Sequence, residues 1–137
     1  HQVNVLSGEV RDGAQAIEDG YARDLGVLKA AGENLNGGAP TLIGECGIQF
    51  DMNDAEAYRR WNAGERSPSI WAAQTAALDL MYNALDRLLL SSTQWNYTAS
   101  NRNDPMLGDG WNQESWGLGR FPTASEPRSS RREATRA

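Results

Sequence analysis

The stretch TLIGECGIQFDM, Thr41 to Met52, ends an apolar run on a glutamate set between two glycines, Gly44 and Gly47, with an aspartate, Asp51, six residues further on. A buried strand has no use for a lone carboxylate, because taking an unpaired charge out of water is costly. Glu45 is therefore either paired by something outside this stretch or placed for chemistry. An ionised carboxylate can attack an electrophilic carbon or hold a proton in transit. A lone glutamate at a strand end is more often a helix cap or a surface residue. The flanking glycines shift the balance, because they leave room for backbone or ligand to approach closely. A second group closes the run STQWNY, Ser92 to Tyr97, on Trp95 and Asn96. The indole is a flat apolar surface, although a single tryptophan in a strand more often belongs to the core.

Both groups need elements to carry them. From about Ala14 to Leu35 the apolar positions Ile17, Tyr21, Leu25 and Leu28 step by four, four and three, which predicts one helical face. Asp12 and Gly13 open it, and NGGAP, Asn36 to Pro40, stops it. TLIGEC reads as a short strand. In residues 47–69, NDAEAYRRW predicts a short helix capped by Asn53 or Asp54. A second long helix runs from about Ser69 to Leu90, with Ile70, Ala73, Ala77, Leu78, Met81, Leu85, Leu88 and Leu89 on its apolar stripe. STQWNY reads as the second strand. Residues 1–12 give little periodic signal.

Helix, strand, helix, strand predicts an α/β chain with parallel strands and helices packed on the sheet. Two strands cannot be buried on both faces by two helices. The pattern is that of about two βα units of a (β/α)8 TIM barrel, incomplete in this chain, since such barrels take about 250 residues and this sequence has 137. Opening on His1, it reads as a processed form or a piece of something longer. In parallel α/β folds the site lies at the carboxyl ends of the strands, where Glu45 and Trp95 both fall. A carboxylate facing an indole there is the layout of a sugar site. The ring stacks on the indole, and the carboxylate attacks or stabilises an anomeric carbon that turns positive.

Composition excludes several alternatives. Net charge is −5, and residues 115–137 carry five Arg against two Glu, so the body is more acidic still. An acidic body disfavours nucleic acid, which needs a basic face. One Cys and one His exclude an intrachain disulfide and leave too few ligands for a zinc cage. Cys46 reads as a small buried apolar residue. No apolar run is long enough to cross a bilayer. Residues 115–137 lack any period and read as a disordered basic Ser/Arg/Pro-rich tail, against a body of residues 1–114. Asn96-Tyr97-Thr98 fits a glycosylation sequon, which inside a site strand reads as a chance match.

PTLIGECGIQFDMNDAEAYRRW, followed by a helix and TQWNYTASNRNDPMLGDGWNQE, resembles the C-terminal part of a glycoside hydrolase family 5 catalytic barrel. The likeness is to the branch of endoglycoceramidases and fungal glucosylceramide and steryl-glucoside β-glucosidases. It covers roughly Ala14 to Glu114. The GE-x-G element alone is weak, whereas the ordered set at this spacing is strong. The resemblance implies that Glu45 is the catalytic nucleophile and Trp95 the sugar platform. It places Asn96, Asp109, Trp111 and Asn112 near the substrate entrance.

The reaction implied is retaining hydrolysis of a β-glucosidic bond, with a carbohydrate or glycolipid substrate, no metal or organic cofactor, and membrane contact through a lipid substrate. A β-glucanase or mannanase of the same family, and a non-catalytic carbohydrate-binding relic, are the alternatives. The family's acid/base glutamate follows an asparagine, and no Asn-Glu step occurs here. The chain thus holds half of the catalytic pair, and no activity is expected of it alone. The tail after Glu114 replaces the family's acidic-aromatic continuation, as a truncated gene model or a frame change would.

Overall fold

The computed structural model describes residues 1–96. Tyr97, Asp109, Trp111, Asn112 and the expected tail of residues 115–137 lie outside the described residues. The chain opens with an antiparallel pair, β1 (Gln2–Val3) and β2 (Val10–Arg11), followed by α1 (Ala14–Glu33), β3 (Leu42–Cys46), α2 (Met52–Asn62), a 3-10 turn (Pro68–Trp71), α3 (Ala72–Arg87) and β4 (Ser91–Gln94). β3 and β4 pair in parallel, with Leu42 opposite Ser91 and Ile43 opposite Ser92. The α/β alternation and the parallel pairing are as the sequence predicts.

The hairpin carries no periodic signal in the sequence, its strands being two residues each. Asn4 turns the chain, its Oδ1 accepting from the backbone N–H of Leu6 (3.0 Å) and Ser7 (3.1 Å). β2 then delivers Arg11 to a buried position on α1. Arg11 Nη2 donates to Asp24 Oδ2 (2.8 Å) and Glu9 Oε2 (3.0 Å), and Nη1 to Gln2 Oε1 (3.3 Å). The guanidinium lies flat on Gly20, where a Cβ would collide with it. Burying arginine is tolerated because its donors meet carboxylate and amide oxygens.

These pairs make stability depend on acid. Arg11, and then Arg23, hold the Glu9 carboxyl below its ordinary range. Arg87 and Gln15 do the same to Asp19, and Arg60 to Glu65. A carboxyl with a depressed folded value contributes stability above its unfolded value and loses it as pH falls through the folded one. The urea midpoint should therefore be flat near neutrality and fall below about pH 4, the ordinary carboxylate value. Arg11→Met should flatten part of that acid limb. A pH titration of the unfolding midpoint checks both.

The core lies between the sheet and the helices: Ile43, Ile48, Phe50, Tyr58, Ile70, Trp71, Leu78, Met81 and Leu85. Trp71 sits at its centre, edge-on to Tyr58 at 5.4 Å and tilted on Phe50 at 6.3 Å. Tyr21 and Leu25 bring α1 onto this cluster, but Leu28 is 51% exposed and stands outside it. The segment after β3 is no mere connection. Ile48 and Phe50 are buried, and Gln74 Nε2 donates to Phe50 O (2.9 Å), tying the segment to α3.

Three boundaries differ from expectation. α2 has no side-chain cap, because Asn53, Asp54 and Ala55 take left-handed φ of 56° and open it as a kinked turn. The second long helix divides into the 3-10 turn, begun by Pro68 and capped by the Ser67 hydroxyl, and α3 proper. Its end comes earlier than Leu90. Leu89 takes φ 53°, with Leu90 N–H bonded to Leu85 O and Leu89 N–H to Asp86 O, a left-handed helix stop. Leu89 is accordingly 89% exposed and off the apolar stripe; Ala73 is exposed as well.

On the far side of β3, a groove of about 610 Å³ runs between the second half of α1 and the strand, lined by Leu28, Leu35, Pro40, Leu42 and Glu45 among others. Leu42 is 61% exposed along it. Among the described residues, no helix is long and apolar enough to cross a membrane.

Candidate active site

Strict alternation along β3 would turn Glu45 to the same face as Ile43, into the core. It does not go there. The register with β4 slips between Ile43, opposite Ser92, and Cys46, opposite Gln94, so β3 carries one extra residue at Gly44 and Glu45. Such a bulge re-aims a side chain. Ile43 stays buried while Gly44 and Glu45 are both exposed. In this chain the Glu45 carboxylate meets water, so its charge carries no burial cost. The Thr93 hydroxyl on β4 donates to Gly44 O and closes the bulge from the neighbouring strand.

Because β3 and β4 run the same way, their carboxyl ends meet. Trp95 N–H donates to Cys46 O (2.8 Å), so the residue after Glu45 is bonded to the indole-bearing residue itself. β4 ends at Gln94, two residues short of the expected extent of the strand within the described residues; Trp95 and Asn96 follow it, joined by a cis peptide. Trp95 is 41% exposed and Asn96 half-buried. Thus Glu45, Trp95 and Asn96 fall at the same end of the parallel strand pair. Asp109, Trp111 and Asn112 lie outside the described residues.

Of the flanking glycines, Gly44 borders open space. Gly47 is different. A Cβ there would strike the Trp95 carbonyl oxygen and stand 3.0 Å from Gln94 Nε2. Gly47 is thus the seat against which the end of β4 rests. Gly47→Ala should force the two strand ends apart and cost about 2 kcal/mol, as overpacking against backbone does. Chemical unfolding of the variant checks it, with Gly44→Ala as the milder companion.

Gln94 completes the seat. Its Oε1 accepts from the Tyr82 hydroxyl on α3 (2.5 Å) and faces Cys46 Sγ (4.0 Å), while its Nε2 donates to Trp95 O (3.1 Å). Sequence reasoning passed over Gln94 and Tyr82, which alternation marks only as strand filler and helix surface. Cys46 is half-buried, its Sγ 3.6 Å from Thr93 O, and packs on the core as a small apolar residue would. Among the described residues, no group of three or more His, Cys, Asp or Glu could hold a metal ion.

No protein-family model matches the chain. It is 30% identical over 104 residues to a glucosylceramidase of Cryptococcus neoformans var. grubii, a match of 76% of this chain and 13% of that protein. It is 36% identical over 92 residues to an ergosteryl-beta-glucosidase of Saccharomyces cerevisiae, covering 67% and 11%. In structure it is similar to Cryptococcus neoformans sterylglucosidase 1, with a TM-score of 0.65 and 34% identity over 84% of this chain and 15% of that one. The chain spans 13% and 11% of the length of these curated relatives. Sequence and fold alike are therefore similar to a segment of glycosidases that act, by their names, on glucosylated lipids and sterols.

Proposed function

We propose that this chain is the C-terminal part of a family 5 (β/α)8 catalytic barrel and supplies the nucleophile of a retaining β-glucosidase acting on a glycolipid, a glucosylceramide or a steryl glucoside. The observation that carries the reading is the juxtaposition of Glu45 and Trp95 at one end of a parallel strand pair, in a chain similar to enzymes named for those substrates. Trp95 stacks the glucose ring. A Glu45 carboxylate oxygen bonds to the anomeric carbon as the bond from that carbon to the aglycone oxygen breaks. A second carboxyl group, about 5 Å away in a retaining enzyme, protonates the leaving oxygen. It then takes a proton from water, whose oxygen replaces Glu45 on the sugar. That second group comes from the rest of the barrel, so residues 1–114 are half of a site and residues 115–137 play no part in it.

The test places this chain within Cryptococcus neoformans sterylglucosidase 1, in place of the segment it matches, and treats the hybrid with a 2-fluoro glucoside bearing a good leaving group. Peptide mapping should find the sugar on Glu45. A label on any other residue overturns the assignment. Turnover of a soluble β-glucan but not of a steryl glucoside or glucosylceramide would favour the glucanase alternative. Sugar binding without turnover would favour a carbohydrate-binding relic.

A further inference from the structure

The geometry points to Thr93 as the positioning residue for Glu45, holding the β3 bulge on both sides of it; this rests on the function proposed above. The register passes from Ile43 opposite Ser92 to Cys46 opposite Gln94, so Thr93 on β4 faces a gap that β3 fills with Gly44 and Glu45. Contacts of Thr93 cross that gap in both directions. Its hydroxyl donates to Gly44 O, the carbonyl just before Glu45. Its carbonyl oxygen accepts from Cys46 Sγ (3.6 Å), the side chain just after Glu45. Thr93 is exposed between half-buried Ser92 and Gln94, turned away from the core as Glu45 is.

Burial cost alone does not set the direction of the carboxylate. With the extra residue closed out of β3, Glu45 would stand opposite Gln94, on the core side with Ile43, where its charge is costly. That cost disfavours the closed register, but every bulged backbone that keeps Glu45 in water escapes it equally. Selecting one of them takes a constraint on the backbone, because a bulge leaves its extra residue outside the ladder. The Thr93 hydroxyl places that constraint at the peptide that precedes Glu45. Threonine suits the task, since its branched Cβ restricts the rotamer that aims Oγ1. The Cα–Cβ direction of Glu45 is thereby set from the neighbouring strand. Attack on a carbon depends on that direction, as the reacting atoms must come within about 3–3.5 Å and in line.

In the hybrid enzyme described above, the 2-fluoro glucoside isolates the step concerned. A Glu45 oxygen bonds to the anomeric carbon while the leaving group departs with the bonding electron pair. Thr93→Val keeps the shape and removes the donor. The first-order rate constant of labelling at saturation should fall about tenfold or more, since a misplacement of about 1 Å can cost on the order of 10²-fold. The half-saturating concentration should stay within about twofold, because the change falls on the reacting step and not on sugar binding. Thr93→Ser returns the hydroxyl and should restore the rate. A merely structural role would lower the fraction of enzyme that takes label, but not the rate constant of the folded fraction. Label on Glu45 at an unchanged rate in Thr93→Val, or a Thr93→Ser enzyme as slow as Thr93→Val, overturns the positioning role and leaves the proposed function standing. Label on another residue in the unsubstituted hybrid overturns both. Should Thr93→Val not fold in the hybrid, the chain itself decides: the Gly44 carbonyl carbon resonance should move upfield in Thr93→Val and return in Thr93→Ser, and an unmoved resonance overturns the inference.

Discussion

Glu45→Gln, in the hybrid with sterylglucosidase 1, should lower turnover by on the order of 10⁴-fold or more, the scale seen when a covalent nucleophile is removed. The substitution keeps size and shape but removes the charge, so the amide cannot form the glycosyl ester. The stability of this chain by itself should hardly change. Glu45 is exposed, and its side chain makes no hydrogen bond or ion pair with another described residue. Glu45→Ala offers a further control. The space it leaves at the bulge should admit azide, which would attack the same carbon and yield the glycosyl azide of inverted configuration. Turnover retained in Glu45→Gln would show that the carboxylate is only a surface group.

Trp95→Ala should act on the other half of the reading. Losing a stacked ring removes apolar contact worth about 2 kcal/mol, or roughly thirtyfold in affinity. The expected result is a KM raised by about that factor, since stacking serves ground state and transition state alike. Trp95→Phe should recover much of it, because a smaller flat face remains. The indole is only part-exposed, so a drop in Tm is to be measured alongside. A KM rise without the phenylalanine rescue would trace the loss to the backbone seat on Gly47 instead of the ring.

The parts of this molecule that follow a period were legible in advance. Ile17, Tyr21 and Leu25 announce α1, Leu78, Met81 and Leu85 announce α3, and NGGAP marks the stop between α1 and β3. What escaped has no period. β1 and β2 are two residues each, too short to show alternation, and Arg11 is buried where Asp24 and Gly20 of α1 meet it beside its near neighbour Glu9. In the left-handed turn at Asn53, Asp54 and Ala55, the first two residue types tolerate that region but Ala55 does not favour it, and nothing in the sequence marks three such residues in a row.

At the site, types and spacing singled out Glu45 and Trp95, and of the two flanking glycines only Gly47 marks a close backbone approach, since Gly44 borders open space. They did not say which glycine does what. Gly47 receives the Trp95 carbonyl, whereas Gly44 sits in the bulge. Nor does counting by twos reveal a bulge, yet the bulge alone decides whether the carboxylate faces core or water. The Gln94 contacts join α3, β3 and the end of β4, a three-way meeting that no single stretch of sequence displays.

The groove beside β3 has a practical corollary. Among the described residues that strand is hydrogen-bonded on one flank only, and its outer flank presents Leu42 next to bare backbone. Backbone amides and carbonyls so presented are a ready template for any extended peptide. A dilute preparation of this chain should stay dispersed, while a concentrated one gels or precipitates, and a single lysine facing that flank would be the natural remedy for anyone wishing to handle it.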